Sequence, residues 1–91
     1  MSLFLVSYDL KAPSRDYESL YTTLKTATSW WHYLESTWIL YTSESLSSWN
    51  DKLHAVMDDN DNLFIVDITG QSRNGWLSKK AWEWLRTHGS S

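Results

Sequence analysis

The segment Leu3-Phe4-Leu5-Val6-Ser7-Tyr8-Asp9-Leu10 reads as an apolar strand that delivers one carboxylate, Asp9, to its tip. Strands of this composition fill sheet interiors, so an acidic side chain where such a strand emerges must be solvated, hydrogen-bonded or bound to a cation. Asp9 is therefore the candidate metal ligand and catalytic group. Two such carboxylates holding Mg²⁺ or Mn²⁺ would lower the pKa of a bound water and stabilise charge on a phosphate. The bland alternative is an aspartate that closes the turn at Lys11-Ala12 by bonding its own backbone. No Ser, His and Asp constellation stands out. Asp58, Asp59 and Asp61 lack the alternate ligands, central glycine and distant glutamate of a calcium loop and read as a helix stop. His32, His54 and His88 have no metal-ligand spacing, and the chain has no cysteine, which removes disulfides and thiolate metal sites.

Binding chemistry is the second class of candidate. Eight Lys plus Arg against eleven Asp plus Glu give a net charge of −3, the wrong sign for generic attraction to phosphate backbones. RNA or DNA binding must then rest on local groups, and the candidates are Lys11 and Arg15 after the first strand and Arg73, Lys79 and Lys80 near the C-terminus. Seven tryptophans, five tyrosines and two phenylalanines exceed what a 91-residue core needs, so some of this aromatic surface should meet a ligand or a second copy in a homodimer. Trp31, Tyr33, Trp76 and Trp82 are the candidates to stack on bases, with Arg73, Lys79 and Lys80 holding phosphate. Trp30, Trp38, Trp49 and Trp84 are assigned to the core or an oligomer interface.

The elements that must position these residues are legible from periodicity. A turn at Lys11-Ala12-Pro13-Ser14, with Ser14 or Asp16 as cap, precedes a helix carrying Tyr17, Leu20, Tyr21, Leu24 and Ala27. Trp30–Leu34 and Trp38–Thr42 flank the polar break Glu35-Ser36-Thr37 and form a hairpin. Ser45 caps a second helix with Leu46, Trp49, Leu53 and Val56 on one stripe, Leu63–Thr69 is a fourth strand stopped by Gly70, and a final helix runs from about residue 78 to 88.

This order predicts one α+β domain over 1–91, a ferredoxin-like βαββαβ sandwich with an additional C-terminal helix. Its strands should lie in the spatial order fourth, first, third, second. Phe4, Val6 and Tyr8 with Phe64, Val66 and Ile68 are predicted to face the two helices. The other face, Leu3, Leu5, Ser7 and Asp9 with Leu63, Ile65 and Asp67, should be covered in part by the final helix or a partner subunit. Asp9, the Glu35-Ser36 turn and the loop Asp58–Asp61 should meet at one edge. A basic leader and an apolar membrane span are both missing from the pattern, which predicts a cytoplasmic protein with no membrane partner.

Val6-Ser7-Tyr8-Asp9-Leu10, the polar loop with Arg15 and this element order resemble the small CRISPR-associated ferredoxin-like endoribonucleases of spacer acquisition. Trp30-Trp31-His32-Tyr33-Leu34-Glu35-Ser36-Thr37-Trp38, with Asn60-Asp61-Asn62-Leu63 and Ile68-Thr69-Gly70, resembles a group of small bacterial and phage proteins often labelled SinR-like, over nearly the whole chain. The resemblance implies a dimeric, nucleic-acid-associated protein of antiviral defence. Asp9 would bind a divalent metal at the dimer axis, with Arg15 contacting phosphate and Lys11 assisting. The alternative is a non-catalytic module of phage or defence systems that binds a nucleotide or a partner protein through its aromatic surface.

Overall fold

The computed structural model describes residues 1–12 and 16–89. Its elements are β1 (Ser2–Asp9), α1 (Glu18–Leu24), β2 (Ser29–Leu34), β3 (Thr37–Thr42), α2 (Leu46–His54), β4 (Asn62–Asp67) and α3 (Lys79–Gly89). Local chemistry sets their starts. Ser45 Oγ accepts from the Ser48 N–H at 3.0 Å and Ser78 Oγ from the Ala81 N–H at 3.2 Å, each satisfying an otherwise unpaired donor of a first helical turn. Asp16 Oδ1 accepts from the Glu18 N–H at 2.9 Å ahead of α1, while Ser14, the other expected cap, lies outside the described residues.

The four strands form one sheet in the order β2-β3-β1-β4, and each neighbouring pair is antiparallel. Alternation along β1 therefore sends side chains to two different layers. Phe4, Val6 and Tyr8 pack with Trp38 and Leu40 of β3 against Leu20 and Leu24 of α1 and Trp49 and Leu53 of α2. On the opposite face Leu3, Trp31 and Ile39 pack against Ala81 and Leu85 of α3. The C-terminal helix thus covers part of the face that an uncovered sheet would expose.

Two expectations about faces are corrected. The register pairs Val6 with Ile65 and Tyr8 with Leu63, so Leu63 and Ile65 join the layer under α1 and α2. Phe64 and Val66 belong to the α3 side, and Phe64 is 64 % exposed there. Both parities of β4 are apolar, so the residues alone do not reveal which one faces inward; the pairing with β1 decides it. Trp31, expected on the surface, is 2 % exposed, because the α3 backbone closes over it and its Nε1–H donates to the Ala81 carbonyl at 3.2 Å.

Among the described residues no helix is long and apolar enough to cross a membrane. Thr42 is the buried polar residue of the sheet: its Oγ1 accepts from Trp49 Nε1–H and from the Glu44 N–H, both at 3.1 Å. Thr42→Val keeps the volume but strands two donors, and should lower unfolding free energy by about 1–3 kcal/mol in urea titrations. Leu85→Ala, which empties the α3 layer, should cost about 2–5 kcal/mol in the same assay.

Candidate functional site

Two regions carry the residues singled out in the sequence. The first is the C-terminal tip of β1. Tyr8 N–H donates to the Ser36 carbonyl at 3.1 Å, which brings the β2–β3 turn beside the tip, and Asp9 stands opposite Asn62 at the start of β4. The Asp9 side chain is 65 % exposed and its Oδ2 lies 3.1 Å from Lys11 Nζ. An ion pair this open to solvent contributes little to stability.

Asp61 makes the structural contacts at this tip. Its Oδ1 accepts from the Lys11 N–H at 2.7 Å and from Tyr17 O–H at 2.8 Å, and its Oδ2 accepts from the Asp58 N–H at 2.8 Å. Asp58 Oδ1 in turn accepts from the Asn60 N–H at 3.0 Å. The acidic loop is thus a self-bonded connection that ties the chain after β1 to the start of β4, in keeping with a helix stop. Among the described residues no three His, Cys, Asp or Glu side chains are grouped to hold a metal ion. Within a single chain Asp9 brings one carboxylate, and the shared-metal arrangement expected from the sequence places a second one, from another copy, beside it. Arg15 lies outside the described residues.

The second region lies on the α3 side at the β2 edge. The β2–β3 register runs Trp30 to Leu40 and Trp31 to Ile39, then shifts so that Leu34 faces Thr37. One extra residue is accommodated in β2 as a bulge. In consequence the neighbours Tyr33 and Leu34 both turn toward α3: Tyr33 packs against the Trp31 ring at 5.3 Å, and both line a groove with Trp76, Leu77 and Trp82. Trp76 is fully exposed.

The loop that carries Trp76 is fixed at several points. Gln71 N–H donates to the Ile68 carbonyl at 3.1 Å, with Gly70 at φ +71°, a left-handed conformation that suits glycine. Arg73 Nη2 donates to the Leu85 carbonyl at 3.2 Å, tying the loop to the C-terminal half of α3. Beneath the loop a groove of about 420 Å³ is floored by Leu5, Ile39 and Ile68 and continues into the one beside Trp76. Lys79 and Lys80 follow in the first turn of α3, both exposed. Arg73 lines this region and Lys79 and Lys80 follow it at the start of α3, whereas Lys11 is at the β1 tip with Asp9.

A third cleft was not singled out in the sequence. It lies on the other face, between α1 and β2, and is lined by Glu18, Tyr21, Lys25, Trp30, His32 and Trp38. Trp30, assigned from the sequence to the core or an oligomer interface, is 39 % exposed there. The signal that could have found it is spacing: Glu18, Tyr21 and Lys25 form one helical stripe, and Trp30 and His32 alternate on one strand face.

Comparison with protein-family models, curated proteins and solved structures finds no match to this chain.

The Asp61 network makes a prediction about pH. Tyr8 and Tyr17 both ionise above the ordinary 10.0, chiefly because burial disfavours the phenolate, and Tyr17 is raised further because its hydroxyl donates to the Asp61 carboxylate. A phenol whose pKa is raised by folding contributes stability that is complete below its unfolded value and is lost as pH climbs through the folded one. Unfolding midpoints should stay level in this respect up to about pH 10 and fall above it, and Tyr17→Phe should flatten part of that fall. An alkaline limb identical in the variant would show that Tyr17 does not contribute to it.

Proposed function

We propose that this chain is a nucleic-acid-associated binding module with a ferredoxin-like βαββαβ plan and an additional C-terminal helix, and that the region around Trp76 contacts single-stranded RNA or DNA. The plan is supported by the sheet order β2-β3-β1-β4 with antiparallel neighbours and by α1 and α2 sharing one face. The observation that carries the function is a fully exposed Trp76 grouped with Tyr33 and Trp82, immediately ahead of Lys79 and Lys80.

Each part suits single-strand binding. Aromatic rings accept bases regardless of sequence, and nearby ammonium groups follow the backbone phosphates. The two lysines also sit where they oppose the α3 macrodipole, with no acidic residue in that first turn. Such placement costs a few tenths of a kcal/mol or more in helix stability, a local penalty of the kind that binding sites tolerate. The negative net charge does not forbid the reading, because the acidic loop Asp58–Asp61 leads into β4, at the opposite edge of the sheet from β2. No bond-breaking group is required, so the module binds without turnover.

A metal-dependent nuclease reading keeps one supporting observation, the exposed Asp9 carboxylate at the β1 tip. It requires a homodimer that brings two such carboxylates to one Mg²⁺ or Mn²⁺.

Fluorescence anisotropy with labelled single-stranded oligonucleotides tests the main reading. Trp76→Ala and Tyr33→Ala should each weaken binding by about 1–3 kcal/mol. The double variant Lys79→Ala/Lys80→Ala should reduce the slope of log K against log salt by about 1.4, which is about 0.7 for each lost phosphate contact on a single strand. Unchanged affinity in all three variants would remove the site. Incubation of the same oligonucleotides with Mn²⁺ or EDTA separates the readings. Intact substrate under both conditions is expected; cleavage that needs metal and disappears in Asp9→Ala would replace the binding module with the nuclease.

A further inference from the structure

The α1–β2 cleft has a composition that the α3 region lacks: aromatic walls with a carboxylate at one end and an ammonium at the other. Its floor is Trp38, on which His32 stacks at 3.9 Å between ring centres with 15° between planes, while Trp30 leans over the same ring at 5.3 Å. His32 Nε2–H donates to the Glu35 carbonyl at 3.0 Å, which fixes the imidazole in this stacked position. Tyr21 closes the α1 side, parallel to Trp38 at 6.3 Å. The cleft measures about 410 Å³, within the range that holds a small organic ligand.

The charges are ordered along α1. Glu18 and Lys25 are seven residues apart on one stripe, so their backbones are separated by roughly 10 Å of helix rise. That span matches the reach of a nucleotide from the pairing edge of its base to its 5′-phosphate. A carboxylate offers two acceptors, and guanine is the base whose pairing edge offers two adjacent donors, N1–H and the exocyclic amine. Lys25 Nζ now lies 5.3 Å from the Trp30 ring centre. With an ammonium already over that ring, a quaternary ammonium ligand would meet like charge, whereas a phosphate would draw the lysine to itself.

We propose that this cleft is a guanine-nucleotide site, in which the base stacks on Trp30, Glu18 accepts from its pairing edge and Lys25 holds the 5′-phosphate. It is separate from the Trp76 region, on the opposite face of the sheet, and does not depend on that reading.

Tryptophan-fluorescence or calorimetric titration of the full chain with GMP, IMP, AMP and guanosine tests it. GMP should bind tightest. IMP, which lacks the exocyclic amine, and AMP, which presents an acceptor at N1, should each bind about tenfold weaker or worse. Guanosine should lose a comparable factor through the missing phosphate. Glu18→Gln should erase the preference for GMP over IMP, and Lys25→Ala should weaken GMP while leaving guanosine unchanged. Both residues are exposed, and circular dichroism checks that the variants fold. Equal affinities for the four ligands, no saturable binding at millimolar GMP, or a guanine preference that survives Glu18→Gln would each overturn the assignment. The four-ligand comparison on the unmodified chain keeps the test decisive even where a variant misfolds.

Discussion

The constraint on which the structure depends is that β1 buries apolar side chains into layers on both of its faces. Phe4, Val6 and Tyr8 enter one layer and Leu3 the other, each less than a tenth exposed. A strand in that position sheds water only if something covers each side of the sheet. α1 and α2 supply one cover, with Leu20, Leu24, Trp49 and Leu53 fully buried against it. The other is supplied by α3 through Ala81 and Leu85. The C-terminal helix is thus a second lid required by the alternation of β1, not an appendage to a finished domain.

Because α3 spans only part of its face, it defines where the open surface lies. Its backbone closes over Trp31, Trp84 Nε1–H donates to Ser29 Oγ at 3.0 Å, and its far end meets Tyr41 through His88. The chain must then travel from the end of β4 to the start of α3 across the uncovered part, and that path carries Arg73 and Trp76. The bulge in β2 adds Leu34 beside Tyr33 in the same region by reversing the alternation for one residue. Packing demand and loop path together place aromatic rings and apolar groove side by side, just ahead of the two lysines that begin α3.

Much of this was legible in the residues, and the failures are specific. The helix cap at Ser45 follows from a short hydroxyl side chain ahead of an apolar stripe, and the meeting of Asp9 with the hairpin turn and the Asp58–Asp61 loop follows from strand order. Trp31 and the parity of β4 were misjudged for one reason: alternation says which residues share a face, not which face is covered, when both parities are apolar. The structural role of Asp61 was hidden because its partners, the Lys11 N–H and the Tyr17 hydroxyl, are distant in sequence. The bulge that redirects Leu34 carries no glycine or proline to announce it. The α1–β2 cleft needed two periodicities, one helical and one alternating, to be read against each other.

The most direct test of the central claim is a ¹H–¹⁵N spectrum of the seven tryptophan indoles during titration with a short single-stranded oligonucleotide. The Trp76 and Trp82 indole signals should move while those of Trp38 and Trp49, hydrogen-bonded to Tyr8 and Thr42 in the layer under α1 and α2, stay in place. Saturable binding that leaves the Trp76 signal unmoved would contradict it.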